Sequence, residues 1–97
     1  RGITFSGGEP LSQADDLMDV IYLLRKAKPN LNIWVYTGFV FEDISTWPVI
    51  SSFDVLVDGP FIMTERNLFL PFRGSNNQRL IDIPQTFKAK NVVQLAI

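Results

Sequence analysis

A chain of 97 residues, 46% hydrophobic and 20% charged, suits one compact domain or part of a larger one. A formal net charge of −1 gives no sign of a nucleic acid or an anionic membrane as partner, and no apolar run reaches the length of a membrane span. The absence of both cysteine and histidine excludes disulfides, thiolate metal sites, cysteine nucleophiles and histidine acid–base catalysis from these residues.

The sequence opens at Arg1-Gly2-Ile3, with no initiator methionine and almost no lead-in to an apolar run. It is therefore expected to be a piece of a longer protein. Ile3-Thr4-Phe5 reads as a short strand, followed at once by Ser6-Gly7-Gly8-Glu9-Pro10. A glycine turn at the carboxyl end of a strand is where open α/β sheets hold their ligands. Paired glycines let the backbone come close to a ligand or take dihedrals that other residues avoid. Pro10 biases Glu9 toward an extended conformation. An acid at this position repels a phosphate and welcomes a ligand with an ammonium group. The same five residues also read as nothing more than a tight strand-to-helix turn with a first-turn acid.

Ser12 and Asp15 then form a capping-box-like start to a helix. Ala14, Leu17, Met18, Ile21 and Leu24 recur at three- and four-residue spacing, which predicts an amphipathic helix that Pro29-Asn30 stops. Asn32 to Thr37 is a nearly continuous apolar run, as in a strand covered on both faces. Phe41-Glu42-Asp43-Ile44 begins a short helix, re-set at Trp47-Pro48, and Phe53 to Val57 reads as a third strand ending at Asp58-Gly59-Pro60. The fold class is α/β, in β-α-β-α-β order, with crossovers that suit a parallel sheet.

Phe61 to Gln78 is a long irregular segment with exposed bulk at Phe69, Leu70 and Phe72. The polar run from Arg73 to Arg79 reads either as a partner-docking or ligand-closing loop or as a solvated turn cluster. Leu80 to Ile83 suggests another strand. Pro84 to Lys90 suggests a short helix capped at Asn91, and Val92 to Ala96 a last strand. Trp34, Tyr36 and Trp47 could stack on a base, although core packing suits them better.

The three strand ends carry Ser6, Gly7, Gly8 and Glu9, then Thr37 and Gly38, then Asp58 and Gly59. In a parallel sheet these ends share one edge, so two carboxylates and two hydroxyls are expected to meet in one cleft. Such a set could accept from an amine or ribose, or ligate a hard cation. Singly, Asp58-Gly59-Pro60 could be a plain turn and Thr37 a helix cap.

Thr4-Phe5-Ser6-Gly7-Gly8-Glu9-Pro10-Leu11 resembles the GGEP segment of radical S-adenosylmethionine enzymes. Ile33 to Phe39 with Phe41-Glu42-Asp43, Asp54 to Phe61, and Arg73-Gly74-Ser75-Asn76-Asn77-Gln78-Arg79-Leu80-Ile81-Asp82 resemble the activating-protein family of anaerobic ribonucleoside-triphosphate reductases. The resemblance implies a fragment of a partial (β/α) barrel, spanning 1–97 as the C-terminal part of a single activase domain. It implies a cytoplasmic enzyme that cleaves S-adenosylmethionine reductively at a 4Fe-4S cluster and installs a glycyl radical on the reductase subunit, fed by an electron donor such as flavodoxin. Ser6, Gly7, Gly8 and Glu9 would hold the methionine end of the cofactor, and Thr37 and Asp58 match strand-end positions near the cofactor or a cation.

The departure from that family is the missing CxxxCxxC loop, whose cysteines ligate the cluster. The chain alone is therefore expected to be inactive and to supply no metal ligands or catalytic residue of its own. The first strand is expected to form a sheet edge open to pairing with another copy. An activase for another glycyl-radical enzyme, such as pyruvate formate-lyase, and a non-catalytic α/β module that binds an amine ligand or a partner surface remain the alternatives. The Arg73-to-Arg79 segment argues against the pyruvate formate-lyase type.

Overall fold

The computed structural model describes residues 2–96; Arg1 and Ile97, the two ends of the expected 1–97 domain, lie outside the described residues. Four strands, β1 (Gly2–Phe5), β2 (Asn32–Tyr36), β3 (Val55–Asp58) and β4 (Arg79–Asp82), form one sheet in the order β1-β2-β3-β4. The first three run parallel and β4 returns antiparallel beside β3. Helices α1 (Ala14–Ala27), α2 (Phe41–Ile44) and α3 (Ile83–Ala89) complete the α/β fold, with 3₁₀ turns at Pro10–Gln13, Pro48–Ser52 and Met63–Glu65.

Alternation along each strand sorts the apolar residues onto two faces. Phe5, Val35, Leu56 and Ile81 lie in one register row. They face the helices, where Leu17 and Ile21 of α1, Phe41 and Ile44 of α2, and Ile50 and Phe53 fill the larger core. Val55, Val57 and Leu80 face the other way, with Trp34, Tyr36 and Leu95 packed on them. Both faces are covered. That is why the second and third strands read as unbroken apolar runs.

β1 is a sheet edge, as expected. The helix start differs from the expected capping box. Glu9, extended at φ −125 and ψ 99, caps the 3₁₀ turn instead, because Pro10 begins helical geometry four residues before Ala14. Ser12 Oγ donates back to the Glu9 carbonyl at 2.7 Å, and Gln13 makes no side-chain cap to α1.

Two differences lie near the C-terminus. Lys90, not Asn91, takes the left-handed position that ends α3, at φ 58, while Asn91 N–H reaches the Thr86 carbonyl at 3.2 Å. Val92 to Ala96 forms no strand. Gln94 makes one antiparallel bridge to Ile81, flanked by Asp82 N–H donating to the Val93 carbonyl at 2.8 Å and Leu95 N–H to the Leu80 carbonyl at 2.9 Å.

Candidate functional site

The Ser6-to-Glu9 turn leaves β1 with Gly7 at φ 77 and Gly8 at φ 54, backbone conformations that a side chain would strain. Ser6, Gly7 and Gly8 are exposed, and a Cβ on either glycine would meet nothing within 4 Å. The glycines are there for backbone shape and leave their peptide groups open. A notch of about 390 Å³ beside the turn is bounded by Phe5, Ser6, Gly7, Glu9, Leu17 and Val20 among others.

Glu9 ties this turn to the next strand end. Its Oε1 accepts from Gly38 N–H at 2.7 Å, and its Oε2 accepts from Thr37 Oγ1 at 2.7 Å and Leu11 N–H at 3.0 Å. Thr37 Oγ1 in turn accepts from Phe39 N–H at 3.1 Å, which fixes the hydroxyl proton toward Glu9. All the donors to this carboxylate are neutral. No ion pair among the described residues involves Glu9, so its negative charge is oriented but not cancelled.

The third strand end is built differently. Asp58 is 1% exposed, on the helix side of β3. Its Oδ2 accepts from Phe41 N–H at 2.8 Å, capping α2 from a distance because Val40 has no side-chain acceptor. Arg79, its register partner on β4, donates Nε to Oδ1 at 3.1 Å and Nη2 to Oδ2 at 2.6 Å. The same guanidinium makes a fork to Glu42, with Nη1–Oε2 at 3.1 Å and Nη2–Oε1 at 2.7 Å. The two carboxylates raise the Arg79 pKa, chiefly by accepting its hydrogen bonds, Asp58 first and then Glu42. The hydrogen bond from Arg79 holds Glu42 below the usual carboxylate range, though solvent around this exposed side chain softens the pairing.

The expected cleft therefore divides in two. Glu9 and Thr37 meet directly, and Ser6, Gly7 and Gly8 sit beside them. Asp58 instead lines a separate depression with Glu42, Gly59, Asn77 and Arg79, and its carboxylate is spent on Arg79 and α2. Arg79 and Glu42 are the residues that sequence reasoning missed. A buried strand-end acid needs a cation partner, and an arginine immediately before an apolar strand was the available signal.

The polar run before β4 is not a solvated cluster. Gln78 Oε1 accepts from the N–H groups of Gly74 at 2.9 Å and Ser75 at 3.2 Å, and Ser75 is wholly buried. Trp34, Tyr36 and Trp47 pack within the fold. Trp34 meets Phe72 edge-on and Trp47 meets Phe39.

A four-stranded, mostly parallel α/β sheet with an open glycine turn at the first strand end is the frame on which the comparisons fall. The 4Fe-4S single cluster domain family matches residues 1–81, and the chain belongs to that family. It is 37% identical over 83 residues to the anaerobic ribonucleoside-triphosphate reductase-activating protein of Vibrio cholerae, covering 80% of this chain and 53% of that one. Identity is 34% over 82 residues to the protein of that name from Escherichia coli, covering 80% and 53%, and 34% over 84 residues to that of Enterobacteria phage T4, covering 82% and 52%. The chain spans about half the length of the curated relatives it matches. No solved structure matches it.

An iron–sulfur cluster is held by thiolates. The chain has no cysteine and no histidine, and the described residues contain no group of three or more acidic side chains placed to hold a metal. These residues do not fit the cluster as ligands. The Ser6-to-Glu9 turn does fit an ammonium group, because it offers an uncancelled carboxylate beside open backbone.

Proposed function

We propose that this chain supplies the S-adenosylmethionine-holding part of an activating enzyme that generates the glycyl radical on anaerobic ribonucleoside-triphosphate reductase. The observation that carries the reading is the Glu9 carboxylate, fixed by neutral donors from the second strand end and left without a cation of its own. Family membership and the named relatives point to the same activity.

In this reading Ser6, Gly7 and Gly8 meet the methionine end through backbone, and Glu9 receives its ammonium group. Thr37 aims the Glu9 carboxylate, and Asp58 acts from the third strand end, where Arg79 and α2 hold it. S-adenosylmethionine, when bound, would supply the radical chemistry, and a 4Fe-4S cluster would need thiolates that these 97 residues do not carry. The chain alone is inactive, and in the whole protein the electron comes from a donor such as flavodoxin in the cytoplasm. No helix among the described residues is long and apolar enough to cross a membrane.

Titration calorimetry of the whole protein with S-adenosylmethionine tests the assignment. Glu9→Gln keeps the size of the side chain and removes the charge, so affinity is expected to fall about tenfold or more, the worth of one charge-assisted hydrogen bond. Equal binding by wild type and variant would remove Glu9 from the amine role.

A further inference from the structure

The segment between Pro60 and Arg79 is a stapled hairpin rather than a loose loop. Arg66 and Ser75 form an antiparallel bridge. Asn67 N–H donates to Gly74 at 3.1 Å and Asn76 N–H to Glu65 at 2.9 Å. The base is tied to the end of β3, where Asn77 Nδ2 donates to the Pro60 carbonyl at 2.8 Å and Gln78 Nε2 to the Gly59 carbonyl at 3.0 Å. Gly74 lies so close to Phe61 that a Cβ would come within 2.9 Å of the ring.

A second anchor holds the far side. The Phe72 ring meets Trp34 at 5.2 Å and 64°, and its carbonyl accepts from the Tyr36 hydroxyl. These contacts hold Phe72 at φ 64, a left-handed conformation that a phenylalanine adopts only when its surroundings enforce it.

The tip of this ordered hairpin is apolar. Leu68 is 80% exposed and Phe69 is 95% exposed. Side chains held out in this way add nothing to the core, and exposed apolar clusters on ordered elements mark interaction sites. The charge of the hairpin is also distinct. Residues 61–78 carry Glu65, Arg66 and Arg73, one net positive charge within a chain of net charge −1. No ion pair among the described residues uses Arg66 or Arg73. The hairpin springs from Gly59 and Pro60, at the same carboxyl end of the parallel strands as the Ser6-to-Glu9 turn.

We propose that the 66–75 hairpin is the docking element for the protein on which this site acts. Leu68 and Phe69 seat in an apolar groove of that partner, and carboxylates on the groove's rim meet Arg66 and Arg73. The partner's identity rests on the proposed function, which makes it the glycyl-radical subunit of the reductase. Seated there, the partner lies beside the strand-end edge that holds the cofactor turn.

The test measures binding of the purified reductase subunit to the whole protein by interferometry, with S-adenosylmethionine calorimetry run on every variant. The Leu68→Ser/Phe69→Ser double variant is expected to weaken Kd about tenfold or more, as truncating exposed anchors at an interface does. Arg66→Glu is expected to weaken it about threefold or more and to flatten its dependence on salt. S-adenosylmethionine affinity should stay at the wild-type value in both.

A double variant that binds the subunit within about twofold of wild type, with an unchanged circular dichroism spectrum, overturns the proposal. So does a double variant that loses S-adenosylmethionine affinity, which would make the hairpin a support of the cofactor site. A wild-type dimer by light scattering that the double variant abolishes would assign the tip to a second copy and overturn it as well. Wild-type protein that binds S-adenosylmethionine but not the subunit overturns the docking assignment and leaves the cofactor reading standing.

Discussion

The first and third strands each end in an acid next to a glycine turn, and the fold treats the two acids in opposite ways. Glu9 is half-buried and takes three neutral donors, from Leu11, Thr37 and Gly38. Asp58 is fully buried and takes a guanidinium, shared with Glu42, and the first N–H of α2. A carboxylate surrounded by neutral donors stays negative toward solvent, whereas one forked by arginine has its field cancelled locally. The same functional group at the same kind of position is thus left open to solvent at one end and tied into the fold at the other. Burial decides which.

The sharpest way to break this contrast is to remove Arg79. Arg79→Met leaves Asp58 buried without its cation and is expected to cost about 3–5 kcal/mol in urea unfolding, the usual penalty for stranding one member of a buried pair. A loss below about 1 kcal/mol would mean that Asp58 does not depend on the arginine. A smaller effect is expected at the first strand end. Thr37→Val deletes one donor to Glu9 and the acceptor for Phe39 N–H, and should cost about 1 kcal/mol by the same measurement.

The smallest effect is a pH effect at Glu42. Its pKa is lowered in the folded chain, so its contribution is present above the ordinary glutamate range and is lost as pH falls through the lowered value. Exposure limits that contribution to about 0.2–1 kcal/mol. Glu42→Gln should therefore be less stable than wild type near neutrality and should converge with it in acid. A stability gap that persists below the glutamate range would assign the effect to packing instead of charge.

Much of this molecule is legible in the chain itself. The spacing of Leu17, Ile21 and Leu24 encodes α1, and the unbroken runs at Ile33 to Tyr36 and Val55 to Val57 encode strands covered on both faces. Helical and strand periods are local properties of neighbouring residues, so they survive without tertiary information. Gly7-Gly8-Glu9 is legible for the same reason, since two glycines and a following Glu-Pro restrict the turn from within. The α1 start was misread because Ser12 and Asp15 match a cap by spacing, while Pro10 had already begun helical geometry upstream.

The sequence alone determined an α/β chain with a glycine turn and an acid at the end of its first strand, because those features follow from residues in contact along the chain. Only the tertiary structure decided what each acid does. The partners of Glu9 lie as far as 29 positions away, and Arg79 reaches Asp58 across 21 positions and Glu42 across 37. Such pairings depend on which strands become neighbours and on how deeply each end is buried. A carboxylate's charge is a property of its residue type; whether that charge is cancelled is a property of the fold.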